Sequence, residues 1–197
     1  MISPNKKFIF IHIPKNAGTS IEKTLKDESC IYQSNQWGYF NAPLNHLTLN
    51  QIINSKLPPH INLKEYFKFT FVRNPWDKVI SECFCPHIQL IFKDCKTISE
   101  KIKKVCSLSA TGYGNHCRNQ LAFVLADLPM DFIGKFENLQ EDFNFICDQL
   151  GINHQELPIK NKSKHKHYTE YYDDETKQIV AEKYAKDIEH FGYEFGK

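Results

Sequence analysis

FIFIHIPKNAGTSIEKTL, residues 8–25, is the stretch whose reading decides the fold. Its first six residues, FIFIHI, are a β-branched and aromatic run, the pattern of a buried parallel strand. Pro14, Lys15, Asn16, Ala17, Gly18, Thr19 and Ser20 follow. Beyond them Ile21 and Leu25 lie four apart, on one face of a predicted helix. Strand, tight polar loop and helix is an arrangement that holds phosphate, because backbone N–H groups at a helix N-terminus point outward and carry partial positive charge. Gly18 lets the backbone approach an anion closely. Thr19 and Ser20 supply hydroxyl donors, and Lys15 a mobile cation. A capped helix start after a strand is the plainer alternative for this loop taken alone. The ATPase version of the device is G-x-x-x-x-G-K-[ST], with lysine after the last glycine. Here Lys15 comes before Gly18 and the first glycine is missing, which argues against an NTPase.

Further along, residues 66–84 read YFKFTFVRNPWDKVISECF. Phe67, Phe69, Phe71 and Val72 make a strand that Asn74-Pro75 stops. Trp76, Val79, Ile80, Cys83 and Phe84 recur at threes and fours, which predicts a helix with one buried face. Pro75 suits its first turn. Arg73 therefore stands at the carboxyl end of a strand, where open α/β sheets bind ligands, with Asp77 and Ser81 on the helix that follows. A guanidinium is a planar, permanently charged fork that matches phosphate. The structural alternative for Arg73 is an ion pair with Asp77 or Glu82.

These two segments together resemble the PAPS-dependent sulfotransferases, in the carbohydrate (heparan and chondroitin type, sulfotransferase family 2-like) branch. HIPKNAGTS resembles their 5′-phosphosulfate loop, Pro-Lys-x-x-Gly-Thr-[ST]. VRNPWDKVIS resembles their 3′-phosphate motif, V-R-[ND]-P-x-[DE]-[RK]-x-x-S. The resemblance implies a donor, 3′-phosphoadenosine 5′-phosphosulfate (PAPS), held at its 5′ end by Lys15, Asn16, Ala17, Gly18, Thr19 and Ser20. It implies that Arg73 and Ser81 hold the 3′-phosphate. It further implies in-line transfer of a sulfuryl group to a hydroxyl-bearing acceptor, favours a glycan as that acceptor, and gives adenosine 3′,5′-bisphosphate as the product. Lys15 is then catalytic as well as donor-binding, and no metal takes part.

Leu47, Leu49, Ile52 and Ile53 fit a short helix that Asn45 or Thr48 caps and Pro58-Pro59 end. His46 lies at its entrance. Imidazole titrates near ~6.5, so His46 can take a proton from an acceptor hydroxyl; the H-x-T pattern resembles the position of the family's catalytic base. A surface or capping histidine is the plain alternative. KTISEKIKKV predicts an amphipathic helix whose lysines read as a solvated face. His116, Arg118 and Gln120 resemble an H-x-R-x-Q element of the family and are acceptor-side candidates; a polar loop and helix start is the alternative. Residues 130–152 read as a strand and a helix ending at Gly151, a natural C′ residue, and resemble the family's I-G-[RK]-[FY]-E-x-L element, with Glu137 structural. In the basic stretch 157–174, Asn161, Lys162 and Ser163 resemble a late donor-binding loop. Asp173 or Asp174 caps a last helix whose Val180, Tyr184, Ile188 and Phe191 pack on the sheet.

Bulk properties set the outer bounds. With 197 residues and 41% apolar composition, the chain suits one domain with its own core. A net charge of +2 implies no general nucleic-acid surface. No apolar stretch of about 15–20 residues marks a signal peptide or span, in contrast to the anchored relatives that modify glycans in the Golgi, so a cytoplasmic setting is expected. The seven cysteines include no C-x-x-C pair, and a reduced protein is the simplest reading. A zinc site on Cys83, Cys85 and a histidine is the weaker alternative. The expectation is a single α/β domain over 1–197, P-loop-like, with a mostly parallel central sheet flanked by helices and strands near 7–13, 66–73 and 131–136. The rival functions are a P-loop nucleotide kinase or NTPase and a non-catalytic nucleotide- or glycan-binding relative.

Overall fold

The computed structural model describes residues 1–31, 46–55, 57–59, 61–109, 112–158 and 165–197. They fall into two compact units, one within 1–72 and 122–160, the other within 73–121 and 161–197.

The first unit holds a four-stranded sheet in the order β1-β2-β3-β4: β1 (Ile2–Ser3), β2 (Phe8–Ile11), β3 (Phe67–Val72) and β4 (Phe132–Lys135). β2, β3 and β4 run parallel, with Phe8 opposite Phe67 and Phe69 opposite Phe132. These are the three expected strands. β1 adds a short antiparallel edge, which two residues are too few to announce by period. Alternation puts Phe8, Phe10, Phe69 and Phe71 on one face. Ile21 and Leu25 of α1 (Gly18–Leu25) and Phe143, Ile146 and Cys147 of α6 (Leu139–Gln149) join them in one core. The class is therefore α/β, a mostly parallel sheet flanked by helices. α6 ends as its sequence demands. Gly151 takes φ 64°, and Ile152 N–H donates to Cys147 O at 3.0 Å while Gly151 N–H donates to Asp148 O at 3.1 Å, the paired bonds of a Schellman cap. α2 (Leu49–Ile53) starts at Thr48, whose hydroxyl accepts from Gln51 N–H in a capping box.

The second unit is helical. Asn74 caps α3 (Pro75–Cys83) by accepting from Trp76 N–H at 3.1 Å, with Pro75 in the first turn. Its buried stripe, Trp76, Val79, Ile80 and Cys83, shares a core with Ile102 and Val105 of α4 (Ile98–Ser107) and Val180 of α7 (Asp174–Lys183). Asp173 caps α7 through Thr176. One difference from expectation stands out. The last helix is two helices, α7 and α8 (Ala185–Phe191), separated at Tyr184, which leaves helical geometry at φ −111°, ψ 23°. The cause is long-range: the Tyr184 ring is buried in the core and its hydroxyl donates to Cys117 O at 2.9 Å. The stripe expected to meet the sheet contributes Val180 and Tyr184 to the core built with α3 and α4. A four-residue helix, α5 (Leu121–Val124), spans the point where the chain passes from the second unit back to the first.

Candidate active site

In the first unit the loop after β2 is built on an unusual backbone. Lys15 takes φ 68° and Ala17 φ 62°, ψ 13°, the left-handed region that non-glycine residues seldom adopt. Each such residue costs roughly 1–2 kcal/mol, so something must fix the shape. Asn16 does part of this: it is 1% exposed, and its Nδ2 donates to Phe71 O at 2.7 Å near the end of β3. Left-handed residues bracket Asn16, and turns of alternating hand are the material from which anion-binding concavities are made. The loop then runs directly into α1. Ala17 is its N-cap and has no side chain able to cap the helix, so the first N–H groups and the positive end of α1 lie at this loop. Ser20 is buried and Thr19 exposed, while Lys15 is half-buried.

Beneath the loop lies a pair that sequence reasoning did not single out. His12 Nδ1 sits 3.0 Å from Glu22 Oε1, and the His12 ring fills the space where a side chain at Gly18 would point; a Cβ there would lie 2.1 Å from His12 Cδ2. Burial pushes the Glu22 carboxyl up, and the hydrogen bond and charge of His12 more than reverse this, leaving it below its ordinary value. His46, expected as a base, meets the same group. Its ring stands edge-on to His12 at 4.9 Å between centroids, and its Nδ1 lies 3.4 Å from His12 O. Gly18 of the loop and His46 thus both meet His12. The signal that could have found it was the polar residue closing an otherwise apolar strand.

In the second unit Arg73 follows β3 directly and is 7% exposed. Its Nε donates to Asp77 Oδ2 at 2.8 Å, so the ion pair foreseen as the alternative does form. Ser81 is buried one turn beyond Asp77 on α3. Gln120 is fully buried, with its amide on the Arg73 backbone: Oε1 accepts from Arg73 N–H at 2.9 Å and Nε2 donates to Arg73 O at 2.8 Å. His116 lies partly exposed, its Nδ1 3.3 Å from the buried Glu82 carboxylate in a poorly aligned contact, and its carbonyl accepts from Lys78 Nζ. Arg118 is half-buried in the same segment. Asn161, Lys162 and Ser163 lie outside the described residues.

Other chemistries find less footing. All seven cysteines are free thiols, and burial pushes Cys106 up to about 12 and Cys117 to about 11, values that suit packing and not nucleophilic attack. Among the described residues no group of three or more His, Cys, Asp or Glu side chains could hold a metal. Among the same residues no helix is long and apolar enough to cross a membrane.

The model of the sulfotransferase family matches residues 1–194, nearly the whole chain. The chain belongs to that family, in its family 2 branch, and is a sulfotransferase by that membership. No curated protein and no solved structure matches it.

Proposed function

We propose that this sulfotransferase takes a sulfuryl group from PAPS and transfers it to a hydroxyl of a carbohydrate acceptor. The observation that carries the donor half is the loop 15–17. Lys15 and Ala17 are left-handed, Asn16 between them is hydrogen-bonded to Phe71 O, and the loop runs directly into the N-terminus of α1. Strain of this kind is retained where it serves a function, and an anion is the ligand that this backbone suits. The family match runs through both units, which supports reading residues 1–197 as one sulfotransferase domain.

The donor supplies the sulfuryl group and leaves as adenosine 3′,5′-bisphosphate. The acceptor oxygen forms the new O–S bond as the bond from sulfur to the 5′-phosphate oxygen breaks. Negative charge grows on that oxygen, and the Lys15 ammonium with the loop N–H groups stabilises it, the larger electrostatic contribution. The acceptor proton goes to His46. Its Nδ1 faces the His12 carbonyl, and with the N–H on that side the lone pair is on Nε2, the nitrogen that accepts the proton. Arg73 and Ser81 hold the 3′-phosphate, so nucleotides lacking it bind poorly. Acceptor recognition falls to His116 and Arg118, and Asn161, Lys162 and Ser163 complete the donor loop. The carbohydrate preference rests on the resemblance of the two motifs.

The test is sulfate transfer from labelled donor to desulfated glycosaminoglycan. His46→Ala should lower turnover by roughly 10²–10⁴ while leaving donor affinity unchanged. Full activity in that variant would place the base elsewhere, and magnesium-dependent turnover of ATP would point to a kinase.

A further inference from the structure

Arg73 stands at the junction between β3 and α3. β3 ends at Val72, and the first carbonyl of the α3 ladder belongs to Asn74, which accepts from Lys78 N–H. The Arg73 N–H and C=O are buried polar groups that require hydrogen-bond partners. Gln120 supplies both from one side chain, at 2.9 and 2.8 Å, in the manner of a single residue of an added strand. Gln120 is itself anchored. Its own N–H donates to Asp187 Oδ2 at 2.7 Å and the next N–H, of Leu121, donates to Asp187 Oδ1 at 2.9 Å. Gln120 and Asp187 are both fully buried. The side chain of Arg73 is fixed at a third point by Asp77.

We infer that Gln120 is a positioning residue for Arg73: its amide, anchored on Asp187, locks the Arg73 peptide so that the guanidinium keeps one orientation toward the 3′-phosphate of the donor. This rests on the reading of Arg73 as the 3′-phosphate ligand. A buried amide engaged at both ends is a poor acceptor-side group, so Gln120 passes from acceptor recognition to the donor site. A bidentate clamp matters here because a guanidinium binds phosphate by direction as well as charge, and a small rotation of the peptide is amplified along the arginine side chain.

The experiment measures the affinities of the full chain for adenosine 3′,5′-bisphosphate and for 5′-AMP, and takes their ratio. It compares wild type, Gln120→Met, Arg73→Ala and the double variant. Gln120→Met should reduce the ratio by roughly tenfold or more with 5′-AMP binding retained, and should add nothing in the Arg73→Ala background. A wild-type ratio in Gln120→Met, or an equal loss of both ligands, overturns the positioning role. A wild-type protein that does not distinguish the two ligands removes the 3′-phosphate reading itself, and this inference with it. Should Gln120→Met not fold, amide hydrogen exchange on wild type decides. The Arg73 and Gln120 amides should gain protection together with the bisphosphate and not with 5′-AMP; an Arg73 amide indifferent to the bisphosphate overturns the inference.

Discussion

A methyl group at position 18 would fall 2.1 Å from Cδ2 of a histidine ring that is buried and tied to Glu22. The ring has no easy retreat, so Gly18→Ala should destabilise the protein by about 1–3 kcal/mol and weaken binding of adenosine 3′,5′-bisphosphate, measured by urea unfolding and titration. The neighbouring residue predicts the opposite sign. Ala17 is left-handed, so Ala17→Gly should raise stability by about 0.5–1 kcal/mol; a loss would mean that the loop strain is not real. Glu22 contributes an acid-side pH dependence here. Its folded carboxyl lies below the ordinary 4.5, so its stabilising contribution is present above that value and is lost as pH falls through the lower folded value. Glu22→Gln should therefore show a smaller loss of stability than wild type between about pH 5 and pH 3. Equal acid limbs would mean that the His12–Glu22 contact contributes nothing.

At the scale of elements, Asn74 joins three segments. Its Oδ1 caps α3, and its Nδ2 donates to Glu194 O at 2.9 Å and to the Tyr168 hydroxyl at 3.3 Å. Asn74→Ala should cost about 1–3 kcal/mol and speed hydrogen exchange in the first turn of α3 and at the C-terminal end alike. What could be read from the sequence divides along the same line. The caps at Thr48 and Asp173, the end of α6 at Gly151 and the three parallel strands are set by neighbours a few residues away, so their signals are local. The break at Tyr184 depends on Cys117, 67 residues distant. The inward turn of Asn16 depends on Phe71, and the clamp of Gln120 on Arg73, 47 residues away. A polar side chain gives the same letter whether it faces a ligand or satisfies a buried peptide group, so Asn16 and Gln120 could be placed near the site but not given these partners. His12 went unassigned for the same reason.

Taken whole, the chain carries a strained loop after β2 and an arginine directly after β3, and the family match extends through residues 1–194. Lys15→Ala should weaken every 5′-phosphorylated ligand by roughly 10–100-fold, whereas Arg73→Ala should do so only for those with a 3′-phosphate. The central claim is that the donor is a 3′-phosphorylated adenine nucleotide. Calorimetric titration of the full chain with adenosine 3′,5′-bisphosphate, with ADP and ATP as controls, tests it most directly. Selective binding of the bisphosphate is the expected result. Equal or tighter binding of ATP would contradict it, remove the 3′-phosphate role of Arg73 and Ser81, and return the chain's loop to a kinase-like reading.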